Sequence, residues 1–132
     1  MTEIRRVVDL PDAPDSREWG YAQVVVAGAT VYVSGQGGWD ATGRIVSPEL
    51  APQVRQTYAN IERALATVGA GLQHLVATTT FITDWRYGRE LTALRAELLA
   101  GQLPTSALIG VASLADPGML VEIQSVAVLP GA

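Results

Sequence analysis

The chain contains no cysteine, which excludes disulfides, thiol catalysis and thiolate metal sites and leaves the redox compartment open. Lysine is also missing. All nine basic residues are arginine (Arg5, Arg6, Arg17, Arg44, Arg55, Arg63, Arg86, Arg89 and Arg95), scattered without a basic run on a chain of net charge −4. Nucleic-acid binding needs a basic face to displace counterions, so no nucleic-acid partner is expected. The one histidine, His74, has no visible triad partners and reads as a surface or capping residue. The carboxylates lack metal-ligand spacing, so neither a metal nor a cofactor is expected. No apolar run is long enough to span a bilayer, and Arg5, Arg6, Asp9 and Asp12 interrupt any apolar signal-peptide segment. A cytoplasmic protein without a membrane partner is the expectation.

What is present is apolar for its size. The chain has 132 residues, 48% hydrophobic and 17% charged, which points to one domain over residues 1–132 with a real core and excludes disorder. Ile4 to Asp9 reads as a strand and Leu10 to Glu18 as a loop. Tyr21 to Ala27 and Thr30 to Ser34, joined by Gly28-Ala29, read as a β-hairpin. Gly35-Gln-Gly-Gly38 then ends the second strand, either as a turn or as backbone that approaches a ligand closely. The missing Lys-Ser/Thr excludes a phosphate loop. Trp39 to Pro48 is a loop that contains the turn Asp40 to Gly43.

A helix is predicted over Pro52 to Val68. Val54, Tyr58, Ile61, Leu65 and Val68 form its apolar face, while Gln53, Arg55, Asn60, Glu62 and Arg63 lie mostly elsewhere. His74 to Asp84 alternates as a strand. A second helix, Trp85 to Leu99, buries Leu91, Leu94 and Leu98. From Pro104 to Val128 the chain reads as two strands joined by an Asp-Pro-Gly turn.

The order is β-ββ-α-β-α-ββ, an α/β (α+β) pattern with a mixed five- to six-stranded sheet and two helices on one face. Tyr21 to Ala27 and Met119 to Val128 are apolar or small on both alternating sets. Such strands are covered on both faces, and two helices cover only one. A homo-oligomer follows from this pattern. Within Met119 to Val128 stands one acidic residue, Glu122, costly to bury unless it is paired or used.

Several local motifs occur in a recognisable order: Gly20-Tyr21-Ala22-Gln23, Val31-Tyr-Val-Ser-Gly-Gln36, Gln53-Val-Arg-Gln-Thr57 with Asn60-Ile61, Val76 to Phe81 running into Thr83-Asp84, Pro104, and Val121-Glu122-Ile123. Together they resemble the RidA (YjgF) family of imine and enamine deaminases over nearly the whole chain. The resemblance implies a chorismate-mutase-like fold and a homotrimer whose sheets form an inner barrel, with pockets between subunits. It implies a small-molecule substrate, typically a 2-imino or 2-enamino acid hydrolysed to a 2-oxo acid and ammonia.

The family's signature is an arginine two residues after the proline that opens the penultimate strand, where it clamps the substrate carboxylate. Here the proline is Pro104 and that position is Ser106, too short and neutral for the task. A frequent asparagine of the second helix is replaced by Thr92. The acidic residue persists as Glu122, either a proton relay or a structural carboxylate paired across an interface. Tyr21, Gly35, Gln36, Gly37, Ser106 and Thr92 are the implied substrate-binding positions, and Trp19 and Trp39 flank them. The expectation is therefore an enzyme acting on a C=N or enamine group of a substrate that lacks the usual carboxylate. The alternative is a non-catalytic, small-molecule-binding or regulatory trimer of the same fold.

Overall fold

The computed structural model describes residues 2–131. Six strands form one mixed sheet: β1 (Ile4–Val7), β2 (Val24–Ala27), β3 (Thr30–Gly37), β4 (Leu75–Ile82), β5 (Thr105–Gly110) and β6 (Val121–Val128). Their spatial order is β1-β2-β3-β6-β4-β5. Only the β4–β5 pair is parallel; the other neighbours are antiparallel. The helices are α1 (Leu50–Ala66) and α2 (Gly88–Leu99). The expected fold class and element order are present, with six strands.

The core lies between the helices and one face of the sheet. Val24, Val31, Val33, Val121, Ile123 and Ala127 supply the sheet side, each no more than 1% exposed. Val54, Tyr58, Ile61 and Leu65 of α1 meet them at the predicted helical spacing and are equally buried. Each fully buried Val, Leu or Ile contributes about 1.5–3 kcal/mol. Helix α1 begins two residues before the expected Pro52, which still falls in the first turn, where a missing N–H costs nothing. The second predicted helix is divided: Trp85–Tyr87 form a 3-10 turn, capped by the Asp84 side chain, and α2 follows. Leu91 and Leu99 are buried there, and Leu94 and Leu98 pack on the core's margin. His74 is a capping residue: its Nδ1 accepts the Gly71 N–H at 2.9 Å.

Three expectations are corrected. The last two strands are not neighbours, because β4 lies between them and β5 pairs with it in parallel. Gln53 and Asn60 are buried on the inner side of α1 rather than turned away. They take up polar groups of irregular backbone: Gln53 Nε2 donates to the Ser47 and Gly118 carbonyls and its Oε1 accepts from Leu120 N–H, while Asn60 Nδ2 donates to the Gly37 and Trp39 carbonyls. Buried amides earn their place by such satisfaction. Finally, strand β3 does not stop at Ser34. It continues to Gly37 through a bulge in which Ser34 and Gly35 oppose Gln124 alone.

The far face of the sheet is uncovered within one chain. Tyr32 and Val128 are 49% and 38% exposed there, and all six β5 residues are exposed.

Gly38 tests how tightly α1 sits on the sheet. An added Cβ would lie 2.6 Å from Gln53 Cα and 2.8 Å from its carbonyl oxygen, both backbone. Gly38→Ala is expected to cost about 1–3 kcal/mol by chemical denaturation; a change within 0.5 kcal/mol would show that α1 shifts freely.

Candidate active site

The bulge in β3 shapes the site. It sets Gly35 beneath Glu122, on the neighbouring strand β6, so closely that a Cβ at 35 would meet Glu122 Cδ at 2.9 Å. Gly37 makes similar room: a Cβ there would lie 2.6 Å from Met119 Cε and 2.7 Å from the Trp39 ring. Neither glycine has a positive φ; both leave room for side chains packed over them.

Above them lies a cleft of about 700 Å³. Tyr21, Gly35 and Glu122 meet in its wall, with Trp19, Trp39 and Met119 as the large apolar surfaces. The chain places these groups by local devices. Asp15 caps a 3-10 turn, Ser16–Trp19, which ends in Gly20 at φ +75°. That left-handed residue reverses the backbone between Trp19 and Tyr21. Buried Ser16 donates its hydroxyl to the Tyr21 and Val8 carbonyls. In the loop that carries the cleft residues Trp39, Gly43 and Ile45, Asp40 Oδ1 accepts from the Thr42 hydroxyl and from the Thr42 and Arg44 N–H groups. Those bonds, led by the hydroxyl, hold its carboxyl below the usual range.

Glu122 is half-buried and has no hydrogen-bond or ion-pair partner among the described residues. Burial raises its pKa above the ordinary 4.5. Tyr21 is raised too, first by burial and then by the Glu122 charge, so the two groups face the same space. A carboxyl whose pKa burial raises is better suited to both taking and giving a proton than a solvated one.

The other expected positions divide. Gln36 stands behind the wall rather than in it: its Nε2 donates to Oε1 of Gln23 at 2.9 Å, and Gln23 lines the cleft. Gly37 lies beneath Met119 and Trp39. Ser106 and Thr92 are outside the cleft. Register places Ser106 opposite Thr78 and Ser125 on the helix side of the sheet, whereas Glu122, Phe81 and Ile109 share the far side. Thr92 spends its hydroxyl on the Gly88 carbonyl of its own helix. Sequence reasoning also missed Arg95, one arginine among nine: its Nη1 donates to Ser106 Oγ at 2.7 Å. Helical spacing from Thr92 was the available signal.

A six-stranded mixed sheet with two helices on one face and a carboxyl-bearing cleft on the other defines a small α+β class. The Endoribonuclease L-PSP family profile matches residues 11–129, and the chain belongs to that family, also called YjgF/RidA. The 2-iminobutanoate/2-iminopropanoate deaminases of Rattus norvegicus and Homo sapiens are 31% and 30% identical over 126 residues, covering 95% of this chain and 90% of each relative. A solved YjgF/YER057c/UK114 family member from Mycobacterium tuberculosis superposes with a TM-score of 0.82 at 28% identity, covering 96% of this chain and 100% of that one. A Rid family protein from Yersinia pestis has a TM-score of 0.88, the same identity and the same coverage.

The pKa direction at Glu122 carries a stability signature. Burial favours its neutral form, so the native state bears a penalty above the raised native pKa that vanishes below 4.5. Glu122→Gln is expected to be more stable than wild type at pH 7, with the difference closing as pH falls through the raised native pKa and gone below 4.5 in a denaturation series. A variant less stable than wild type at pH 7 would mean that the carboxylate is paired.

Proposed function

We propose that the protein is an enzyme acting on the C=N or enamine group of a small molecule, by hydrolysis or tautomerisation, in a pocket shared between copies of a homotrimer. The observation that carries this reading is an unpartnered, half-buried Glu122 with a raised pKa in the wall of an aromatic-lined cleft. The named activity of the deaminase relatives supports the same class of chemistry. The uncovered sheet face, with Tyr32, Val126, Val128 and Ile109, supports the association of copies. Ser106 and Thr92 would then line a neighbour's pocket rather than their own.

In the hydrolytic reaction, Glu122 takes a proton from water as the oxygen adds to the imine carbon. It then returns that proton to the nitrogen. Glu122 then carries the carbinolamine's O–H proton to the amino nitrogen as the C–N bond breaks, which releases ammonia and leaves the carbonyl: R₂C=NH and H₂O become R₂C=O and NH₃. Tyr21 is placed to hold the substrate beside Glu122, and Trp19 and Trp39 offer ring faces to an apolar portion. The net charge of −4 and the absence of lysine argue against cleavage of RNA.

The test uses imines generated in situ by amine and amino-acid oxidases, with carbonyl and ammonia release compared with the uncatalysed rate. Wild type is expected to accelerate release. Glu122→Gln is expected to keep the assembly's mass and lose about 100-fold or more of the rate, the scale of positioned acid–base catalysis. An unchanged rate in the variant would remove Glu122 from the mechanism.

A further inference from the structure

Taken alone, serine at 106 argues for a substrate without a carboxylate. Its surroundings argue otherwise. Arg95, three residues after Thr92 on α2, lays its guanidinium against Ser106 at 2.7 Å. A guanidinium carries five N–H donors, and this is the one bond seen for Arg95 among the described residues. Among the described residues no carboxylate pairs with it: the ion pairs there are Arg17–Asp15, Arg55–Glu97 and Arg86–Asp84. Glu97, two residues further along α2, points to a different side of the helix and is engaged by Arg55. The Arg95 charge also acts on the Tyr58 hydroxyl, against the burial that pushes that group up to about 12. The guanidinium therefore sits where α1, α2 and β5 come together.

We propose that Arg95, steadied by Ser106, is the anion-binding group of the site, and that the substrate carries a carboxylate beside its C=N bond. This rests on the intersubunit reading given above. Within one chain Arg95 and Ser106 lie on the helix side of edge strand β5, while Glu122 lies two strands away on the opposite face. The carboxylate and the reacting carbon are therefore served by different copies. Ser106 accepts from Arg95 and keeps its own O–H as a donor. Helix and strand so present an N–H and an O–H to one anion, and the remaining guanidinium edge can bind a carboxylate through paired bonds. What the strand has lost, the helix supplies.

The experiment compares two imines that differ only in the carboxylate, one made in situ from phenylalanine by an amino-acid oxidase and one from 2-phenylethylamine by an amine oxidase. Wild type is expected to favour the carboxylate-bearing imine. Arg95→Gln should lower kcat/KM for that imine at least tenfold further than for the other, mainly through KM, with Arg95→Lys intermediate. Equal losses, or a wild type that favours the carboxylate-free imine, would overturn the proposal. If wild type hydrolyses neither imine, the catalytic reading fails and binding decides Arg95 separately. Phenylacetate should then quench tryptophan fluorescence with about tenfold higher affinity than phenylacetamide, and Arg95→Gln should erase the difference. Equal affinity of the two ligands for wild type would overturn the proposal.

Discussion

The rest of the structure depends on how closely the Glu122 side chain approaches Gly35, where an added Cβ would lie 2.9 Å from Glu122 Cδ. A carboxyl in a half-buried strand position needs either a partner or a place where its charge is useful. This one has no partner among the described residues. It is accommodated because a bulge in β3 brings a residue without a side chain directly beneath it. The same segment brings Gly37 under Met119 and Trp39, and Gly38 against α1. One irregular strand end thus sets the proton-transfer group, the apolar wall and the depth at which the helix sits.

Rigidity comes from amides rather than from ion pairs. The three ion pairs among the described residues are exposed and contribute little. Gln53 and Asn60 instead fasten α1 to the loops on either side of the cleft, and the Gln23–Gln36 pair closes its back wall. Each of these side chains satisfies backbone or amide groups that no ladder reaches, so losing one would leave orphaned polar atoms around the site. The cleft is open on the sheet face that the helices do not cover. This is why the functional reading involves a second copy of the chain.

Much of the fold was legible in the sequence. The 3.6-residue period of Val54, Tyr58, Ile61 and Leu65 marked the core face of α1, and β-branched runs marked the strands. Strand order was not legible, because parallel β4–β5 pairing is a non-local choice that leaves no trace between Gly110 and Val121. The inward turn of Gln53 and Asn60 was hidden for a related reason: polarity suggests solvent, and only the folded backbone shows which carbonyls await them. At the site, Glu122, Tyr21 and Gly35 were legible and do meet. Ser106 and Thr92 do not meet them in one chain, and Arg95 was indistinguishable from the other arginines until its contact with Ser106 was seen. A substitution reads as a loss when only one position is considered; its replacement can stand on another element.

The central claim is that Glu122 is an unpaired, desolvated carboxyl poised to exchange protons. The most direct measurement is a ¹³C-detected NMR titration of its side-chain carboxyl in the assembled wild-type protein. The account predicts a midpoint above 4.5. A midpoint at or below 4.5 would show a carboxylate held ionised by a partner, and would make Glu122 a structural residue.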